Sequence, residues 1–407
     1  MNQLYGGGAQ KVIGQLSIGL APYYNVILVI YNDVHKIDFP YEGNLVRIQL
    51  PYSISTKNNS FLKRSIRSLI LIRKIRKLKQ VYNIEVCLSF MEASNFVNIL
   101  SAGKEKVILS VRSYLSHEFE DHPRLRIFKL FIRLLYNRAD QIVVPAKLVQ
   151  HDLVHHFGVK KEKTAVIYNF IDPDFTRKQK MEAIPEHLET IFGTGPVLVN
   201  IGRITSPKAQ WLLVPALKKV KKKFPEAKLL IIGEGLLQHK ILSSAAAHQL
   251  KVYIEGVSSP DHQMQSYDIY LAGFITNPYP YLKRCHLFVN VSVYEGFPNV
   301  LLEAMSCGLP VISSDCRSGP REIISPSDNI FSTAGEIEFD EYGILIPVAD
   351  LQKVDQDTYA GTIAVAAVSL LNDIQQMDHY RLQSLKRAAH FEKKATLLQW
   401  RDLIEQQ

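Results

Sequence analysis

Residues 294 to 315 read YEGFPNVLLEAMSCGLPVISSD and set two carboxylates, Glu295 and Glu303, eight positions apart around a predicted helix start. Glu303 falls early in that helix, where side chains lean back toward the amino terminus, so its carboxylate can reach whatever the preceding loop holds. A ribose diol suits it, because a carboxylate accepts two hydroxyl hydrogen bonds at once. Glu295 lies in the loop itself and would face a reacting group. On spacing alone, both glutamates serve equally well as solvated residues that complement a helix dipole.

The flanking residues say which elements hold these carboxylates. HLFVNVS (286–292) reads as a strand, YEGFPN as a loop and VLLEAMSC as a helix. Gly308 is expected just past the helix end in left-handed conformation, and PVISSD (310–315) reads as the next strand. Such a loop turns helix N–H groups toward a bound phosphate. Similar strand and helix alternation runs through the chain. NVILVI (25–30), IEVCLSF (84–90), KVILSV (106–111), QIVVP (141–145) and TAVIYNF (164–170) precede a lapse at 176–196, the expected linker. VLVNIGR (197–203), a helix over 208–223, KLLIIGEG (228–235), KVYIEG (251–256) and IYLAGF (269–274) then restart the pattern. The pattern predicts two doubly wound α/β units with parallel sheets, and ligands bind beyond the carboxyl ends of such strands. A last helix over 376–404, ending near Trp400, is expected to pack back across the molecule.

Bulk composition agrees with two domains. A chain of 407 residues exceeds one ordinary core. Its 4 cysteines, Cys87, Cys285, Cys307 and Cys316, form no metal-ligand spacing and no disulfide framework, so reduced thiols of a cytosolic protein are expected. No signal peptide opens the chain and no apolar run is long enough to span a bilayer. A net charge of +9 points to polyanionic surroundings.

The stretch EGFPNVLLEAMSCGLPVI resembles the E-x7-E signature of glycosyltransferase family 4, whose members are retaining nucleotide-sugar enzymes. NIGRITSPKAQWLLVPAL, LLIIGEG, GF-x-x-NP-x-x-Y at 273–281 and SGPREII at 318–324 extend the likeness over most of the second half. A looser likeness runs through GGGAQKV (6–12), SF-x-x-x-SN (89–95), SVR (110–112) and YNFID (168–172). SVR with SGPREI resembles bacterial members that extend O-antigen, capsule, exopolysaccharide or lipid-linked glycans. The resemblance implies the GT-B fold, two Rossmann-like domains facing a cleft. Residues 1–180 would bind acceptor, 190–375 would bind nucleotide sugar, and 376–407 would pack back toward the first domain. It gives Arg203 and Lys208 the donor diphosphate and places Glu295 near the reacting carbon. Two fixed cations stabilise the charge on a departing phosphate without a metal, so neither metal nor cofactor is expected. Gly202, Gly296, Phe297, Pro298, Asn299 and Val300 would shape the donor loop, and Glu303 would take the ribose. Gly7, Gly8, Arg112 and His117 are the acceptor-side candidates, although Gln10 stands where the family usually has glutamate. Relatives also carry a strand of about eight residues before the Gly-Gly loop. Only MNQL stands before YGGG here, so the first strand of the N-terminal sheet is expected to be missing, whether the start lies further upstream or the sheet is incomplete.

Two further features compete with this reading. Asp172-Pro173-Asp174 is a D-x-D string, the manganese motif of the other large glycosyltransferase fold, and His155-His156 reads as surface. FLKRSIRSLILIRKIRKLK (61–79) carries eight Lys or Arg and no acid, threaded with aliphatics. As a helix it suits an anionic lipid surface through Arg73, Lys74, Arg76 and Lys77, or else a solvated basic rim on a packed helix. No nucleic-acid partner is expected, because the cations lie among aliphatics and not stacking aromatics. The expected activity is transfer of a hexose or N-acetylhexosamine from a nucleoside diphosphate, UDP by expectation, to a lipid-linked or polysaccharide glycan. The site would be peripheral on the cytoplasmic membrane face. A same-fold nucleotide-sugar 2-epimerase and a non-catalytic lipid-binding protein are the alternatives.

Overall fold

Short β-branched runs alternating with helices fold as parallel strands with helical cover, as the pattern requires. A computed structural model describes residues 7–31, 39–50, 61–118, 125–258, 267–326, 329–353 and 355–406. The chain forms two units, Met1–Asn169 with Lys394–Gln407, and Phe170–Lys393.

The first unit contains strands β1 (Ile27–Ile30), β2 (Asn44–Arg47), β3 (Val86–Phe90), β4 (Lys106–Ser110), β5 (Gln141–Val144) and β6 (Thr164–Val166). Its helices are α1 (Gly8–Leu20), α2 (Phe61–Val81), α3 (Glu92–Leu100), α4 (Leu115–Glu118), α5 (Leu125–Tyr136) and α6 (Lys147–Phe157). Among the described residues, β1 and β2 pair in parallel as one sheet, and β3-β4-β5-β6 form a second parallel sheet. Leu28 and Ile30 of β1 and Phe90 of β3 share one core with Val12, Ile13 and Leu16 of α1. The missing-strand expectation concerns residues ahead of Gly7, which lie outside the described residues.

In the second unit the helices are α7 (Pro173–Gln179), α8 (Glu186–Glu189), α9 (Leu213–Val220), α10 (Gln238–Ala247), α11 (Tyr279–Arg284), α12 (Asn299–Ser306), α13 (Pro320–Ile324), α14 (Gln356–Asn372) and α15 (Ile374–Ala389). Its strands are β7 (Val197–Ile201), β8 (Lys228–Ile232), β9 (Val252–Ile254), β10 (Ile269–Leu271), β11 (Leu287–Asn290), β12 (Val311–Ser314), β13 (Glu338–Asp340) and β14 (Gly343–Ile346). They lie in the order β13-β14-β12-β11-β7-β8-β10-β9, parallel except for β13. From β7 the chain adds strands first on one side, beginning with β8, and then on the other, beginning with β11. The point between β7 and β11 is therefore the topological switch, where loops diverge and leave a crevice.

The expected single helix over 376–404 is corrected to two, α15 and α16 (Lys393–Glu405), and α16 folds with the first unit. The break has a backbone cause. Ile171 N donates to the Phe391 carbonyl at 2.8 Å and Lys393 N donates to the Ile171 carbonyl at 3.0 Å, which holds 391–393 extended against the outgoing chain. Trp400 of α16 is buried against Phe90, with ring centroids 6.4 Å apart. The expected helix over 208–223 is also shorter. Two 3-10 turns, Ser206–Lys208 and Gln210–Leu212, flank Ala209 in left-handed conformation, and the α-helix runs only over α9.

Candidate active site

Arg203 and Lys208 follow β7, and Glu295 follows β11, so all three stand at the carboxyl edge of the switch point. The loop after β7 is tightly held. Gly202 N donates to the Ile232 carbonyl at 3.0 Å, and Ile204 N donates to the Glu234 carbonyl at 2.9 Å. This approach needs glycine opposite, because a Cβ on Gly233 would sit 2.0 Å from the Gly202 oxygen. From beneath, the buried Gln210 amide donates to the carbonyls of Gly202 and Arg203, each at 3.1 Å.

The loops after β7 and β11 are joined to each other. Val293 N donates to the Pro207 carbonyl at 2.7 Å, and the Lys208 ammonium pairs with Glu295 Oε1. Ser292 Oγ donates to the same oxygen at 2.7 Å, so Glu295 is fixed by a cation and a hydroxyl. Its backbone is clamped as well. Glu295 N donates to the Arg317 carbonyl and Ser318 N to the Glu295 carbonyl, both at 2.9 Å, and Ser318 Oγ donates to the Gly296 carbonyl at 2.6 Å. Arg203 differs from Lys208. Its side chain is exposed and has no ion-pair or hydrogen-bond partner among the described residues. One cation is therefore already engaged by a carboxylate while the other faces solvent.

Glu303 lies one turn into α12 and is 5% exposed. Leu301, Leu302, Ala304 and Met305 are buried around it, and each large aliphatic contributes about 1.5–3 kcal/mol to seating the helix. Pro298 stands at the N-cap and supplies no side-chain acceptor to the first turn, which Asn299 and Val300 begin. Gly308 is left-handed at φ +72°, as the sequence predicts, and ends the helix ahead of β12. Phe297 and Pro298 rest on the SGP segment. A Cβ on Gly319, itself at φ +102°, would stand 2.6 Å from the Pro298 ring. Arg321 of that segment is only 4% exposed, bound through Nε to Asp315 at 2.8 Å and through Nη2 to Glu338 at 2.7 Å. The PRE residues thus brace the loop from behind. Ser292, Ser318 and Gln210 were not singled out by the sequence reading, since single serines and glutamines carry no spacing signal.

The acceptor-side candidates stand in the first unit. Gly7 is the N-cap of α1 and Gly8 its first residue. Arg112 lies two residues beyond β4 over the Phe90 ring, 5.8 Å from its centroid, and its guanidinium donates to Asn169 Oδ1. Burial pushes its pKa down to about 10. His117 is exposed on α4, beside the ring of Tyr114.

The remaining sequence features find structural roles. Asp172 caps α7 by accepting from Phe175 N at 3.1 Å and pairs with Lys393 at 2.9 Å, while Asp174 is exposed beside Arg177. Burial opposes ionisation of Asp172, but Lys393 and the backbone donors outweigh it and hold the carboxyl below its ordinary value. His156 pairs with Asp152 at 2.9 Å. On α2, Leu71 and Ile75 are buried in the core, Lys74 donates to the Gln49 carbonyl at 2.8 Å and Arg76 to the Leu100 carbonyl at 3.0 Å. Arg73 and Lys77 are exposed. No helix of the described residues is long and apolar enough to cross a membrane. A separate cavity of about 480 Å³, lined by Pro196, Phe224 and His286 among others, lies at the amino-terminal edge of β7 and β11, opposite these groups.

Comparisons with known proteins bear on this arrangement. Residues 195–354 match the family described as Glycosyl transferases group 1, and residues 6–175 match Glycosyltransferase Family 4. An uncharacterized glycosyltransferase of Methanocaldococcus jannaschii is 31% identical over 74% of this chain and 72% of its own length. A Campylobacter jejuni enzyme named N-acetylgalactosamine-N,N'-diacetylbacillosaminyl-diphospho-undecaprenol 4-alpha-N-acetylgalactosaminyltransferase is 26% identical over 95% of this chain and 93% of its own. Among solved structures, sucrose-phosphate synthase from Thermosynechococcus elongatus superposes with a TM-score of 0.73 at 17% identity, covering 98% of this chain and 93% of that one. The Anabaena protein HepE in complex with UDP-glucose superposes with a TM-score of 0.70 at 16% identity, over 99% and 97% of the two chains. These structural likenesses show the GT-B fold.

Proposed function

We infer the reaction from one premise: this chain belongs to glycosyltransferase family 4 and is a transferase with the GT-B fold. The proposed reaction moves a hexose or N-acetylhexosamine from a nucleoside diphosphate, UDP, to a growing lipid-linked or polysaccharide glycan, with retention at the anomeric carbon. The observation that carries this reading is the joining of Lys208 to Glu295 across the switch point, with Arg203 open to solvent beside them. UDP and UDP-glucose in HepE, and the lipid diphosphate in the name of the Campylobacter relative, support the choice of donor and acceptor.

In the proposed step the bond between the anomeric carbon and the phosphate oxygen breaks. The acceptor hydroxyl oxygen bonds to the same face of that carbon, and its proton passes to the departing phosphate oxygen. Negative charge grows on that oxygen, where Arg203 and Lys208 lower its energy without a metal. Glu295, held by Lys208 and Ser292, faces the donor sugar, and the loop 296–300 frames it. Glu303 accepts the ribose hydroxyls. Gly7, Gly8, Arg112 and His117 belong to the acceptor side. The protein works peripherally on the cytoplasmic membrane face, where a lipid-linked acceptor is displayed.

A donor panel tests this. UDP and UDP-sugars are expected to raise the unfolding temperature and GDP-sugars are not. Glu303→Ala should weaken UDP and UDP-sugar alike, since both carry the ribose. Equal UDP affinity in wild type and Glu303→Ala by calorimetry would remove that role, and stabilisation by GDP alone would overturn the donor.

A further inference from the structure

We propose that helix α5 is a lipid-docking element whose outward face, Ile127, Leu130, Phe131 and Leu134 with the exposed Arg133 at its edge, lies in the headgroup region of an anionic bilayer. The proposal rests on the membrane-displayed acceptor put forward above and deepens it, assigning the contact chiefly to a helix other than the basic α2.

The four apolar residues recur at i, i+3, i+4 and i+7, so they form one stripe over two turns. Their exposures are 57%, 54%, 54% and 59%. The opposite side of the helix is already satisfied. Ile132 and Tyr136 are fully buried, and Phe128 meets the Phe96 ring edge-on at 5.9 Å. A surface helix that buries one face turns charged and polar residues to water on the other. Here the outward side is apolar too, and a contiguous patch of this kind marks a contact site where scattered exposed leucines do not.

Charge identifies the partner. The sequence LRIFKLFIRLLY contains no acid. Both α2 and α5 pack on α3, so they cover the same side of the sheet. On α2, Ile66 and Leu69 are 39% and 54% exposed, and Arg73 and Lys77 carry no partner among the described residues. Aliphatic side chains beside unpaired cations are the composition of an interfacial helix on anionic lipid. A second copy would set helices that carry cations and no acid against each other, a like-charge arrangement that opposes association.

Vesicles of phosphatidylcholine with and without 30% phosphatidylglycerol, the probe here, separate the outcomes. Wild type is expected to sediment with the anionic vesicles, and the triple variant Ile127→Gln, Leu130→Gln, Phe131→Gln to lose at least tenfold in partitioning. Removing exposed apolar groups does not threaten the fold, and UDP-induced stabilisation, which reads the second unit, should be unchanged in the variant. As an independent measurement, Phe131→Trp should shift its emission to the blue on anionic vesicles and be quenched by brominated lipid, against the buried Trp211 and Trp400. Undiminished sedimentation of the triple variant overturns the proposal, as does emission from the Phe131→Trp variant that is indifferent to lipid. A concentration-dependent dimer that the triple variant abolishes overturns it in favour of self-association. Loss of UDP stabilisation in wild type would instead count against the donor reading and leave the vesicle result to stand by itself.

Discussion

Lys208 and Glu295 are 87 residues apart in sequence and form an ion pair between the loops that follow two neighbouring strands. Glu295 is the more enclosed partner, with its side chain 10% exposed against 25% for Lys208. In the proposed reaction a donor diphosphate at Lys208 would share that ammonium with Glu295, whereas Arg203 would be open to it at once. The two cations therefore differ in what their removal disturbs.

Arg203→Met is expected to lower kcat by roughly 10²–10³, the usual cost of one lost charge stabiliser, while leaving the unfolding temperature unchanged. Lys208→Met should lower kcat similarly and also destabilise the protein, because Glu295 loses its counter-ion. Adding Glu295→Gln to Lys208→Met should recover part of that stability and none of the activity. Purely additive stability losses in this double-mutant cycle would show that the pair contributes nothing to the fold.

Much of the local structure around these residues was legible in the sequence, and the limits have physical causes. The α12 segment announced itself through apolar spacing, Gly308 and the strand after it, all local signals. The Lys208–Glu295 contact was not legible, since it exists only because β11 lies beside β7 in the sheet. A 29-residue helix was expected at the end of the chain, but residues 391–393 spend their backbone groups on Ile171, a long-range pairing with no local signature. On α2 the aliphatics divide between core and surface, and only packing reveals that Leu71 and Ile75 turn inward. The run that forms α5 was not singled out in the sequence, and which of its two apolar faces meets water is decided by Phe96 and its neighbours.

Asp172 illustrates a motif that geometry reassigns. Its carboxylate caps α7 and pairs with Lys393, so Asp172→Asn should lower stability by about 1 kcal/mol, in the range of a lost cap or a partly exposed pair. Transfer activity is expected to be unaffected by the substitution and by EDTA. Activity that EDTA abolishes and manganese restores, together with its loss in Asp172→Asn, would return the D-x-D string to a metal role.

The cations of α2 should separate into two groups. Lys74 and Arg76 satisfy backbone carbonyls of Gln49 and Leu100, so their glutamine variants are expected to lower the unfolding temperature. Arg73→Gln with Lys77→Gln should leave that temperature unchanged and weaken binding to anionic vesicles at low salt, each charge near the surface contributing about 1 kcal/mol. Added salt should erase the difference from wild type. Vesicle binding that is indifferent to Arg73 and Lys77 at low ionic strength would confine α2 to a structural part.

Glu92 supplies a pH dependence in the first unit. It opens α3, its Oε1 is buried without a hydrogen-bond partner among the described residues, and burial first, then the Glu118 carboxylate on α4, pushes its pKa up to about 7. The raised carboxyl in turn contributes to raising the Tyr136 phenol of α5, whose own burial is the larger cause. A carboxyl whose folded pKa lies above its unfolded value of about 4.5 binds more protons folded than unfolded between those limits. Its contribution is therefore fully present below about pH 4.5 and is lost as pH rises through about 7, a difference of at most about 3 kcal/mol. Glu92→Gln mimics the protonated side chain at every pH. The variant should match wild type in unfolding temperature at pH 4.5 and exceed it by several degrees at pH 8.5. A gap of equal size at both pH values would mean that Glu92 does not change its protonation across this range, and the buried carboxyl would have to be ionised throughout.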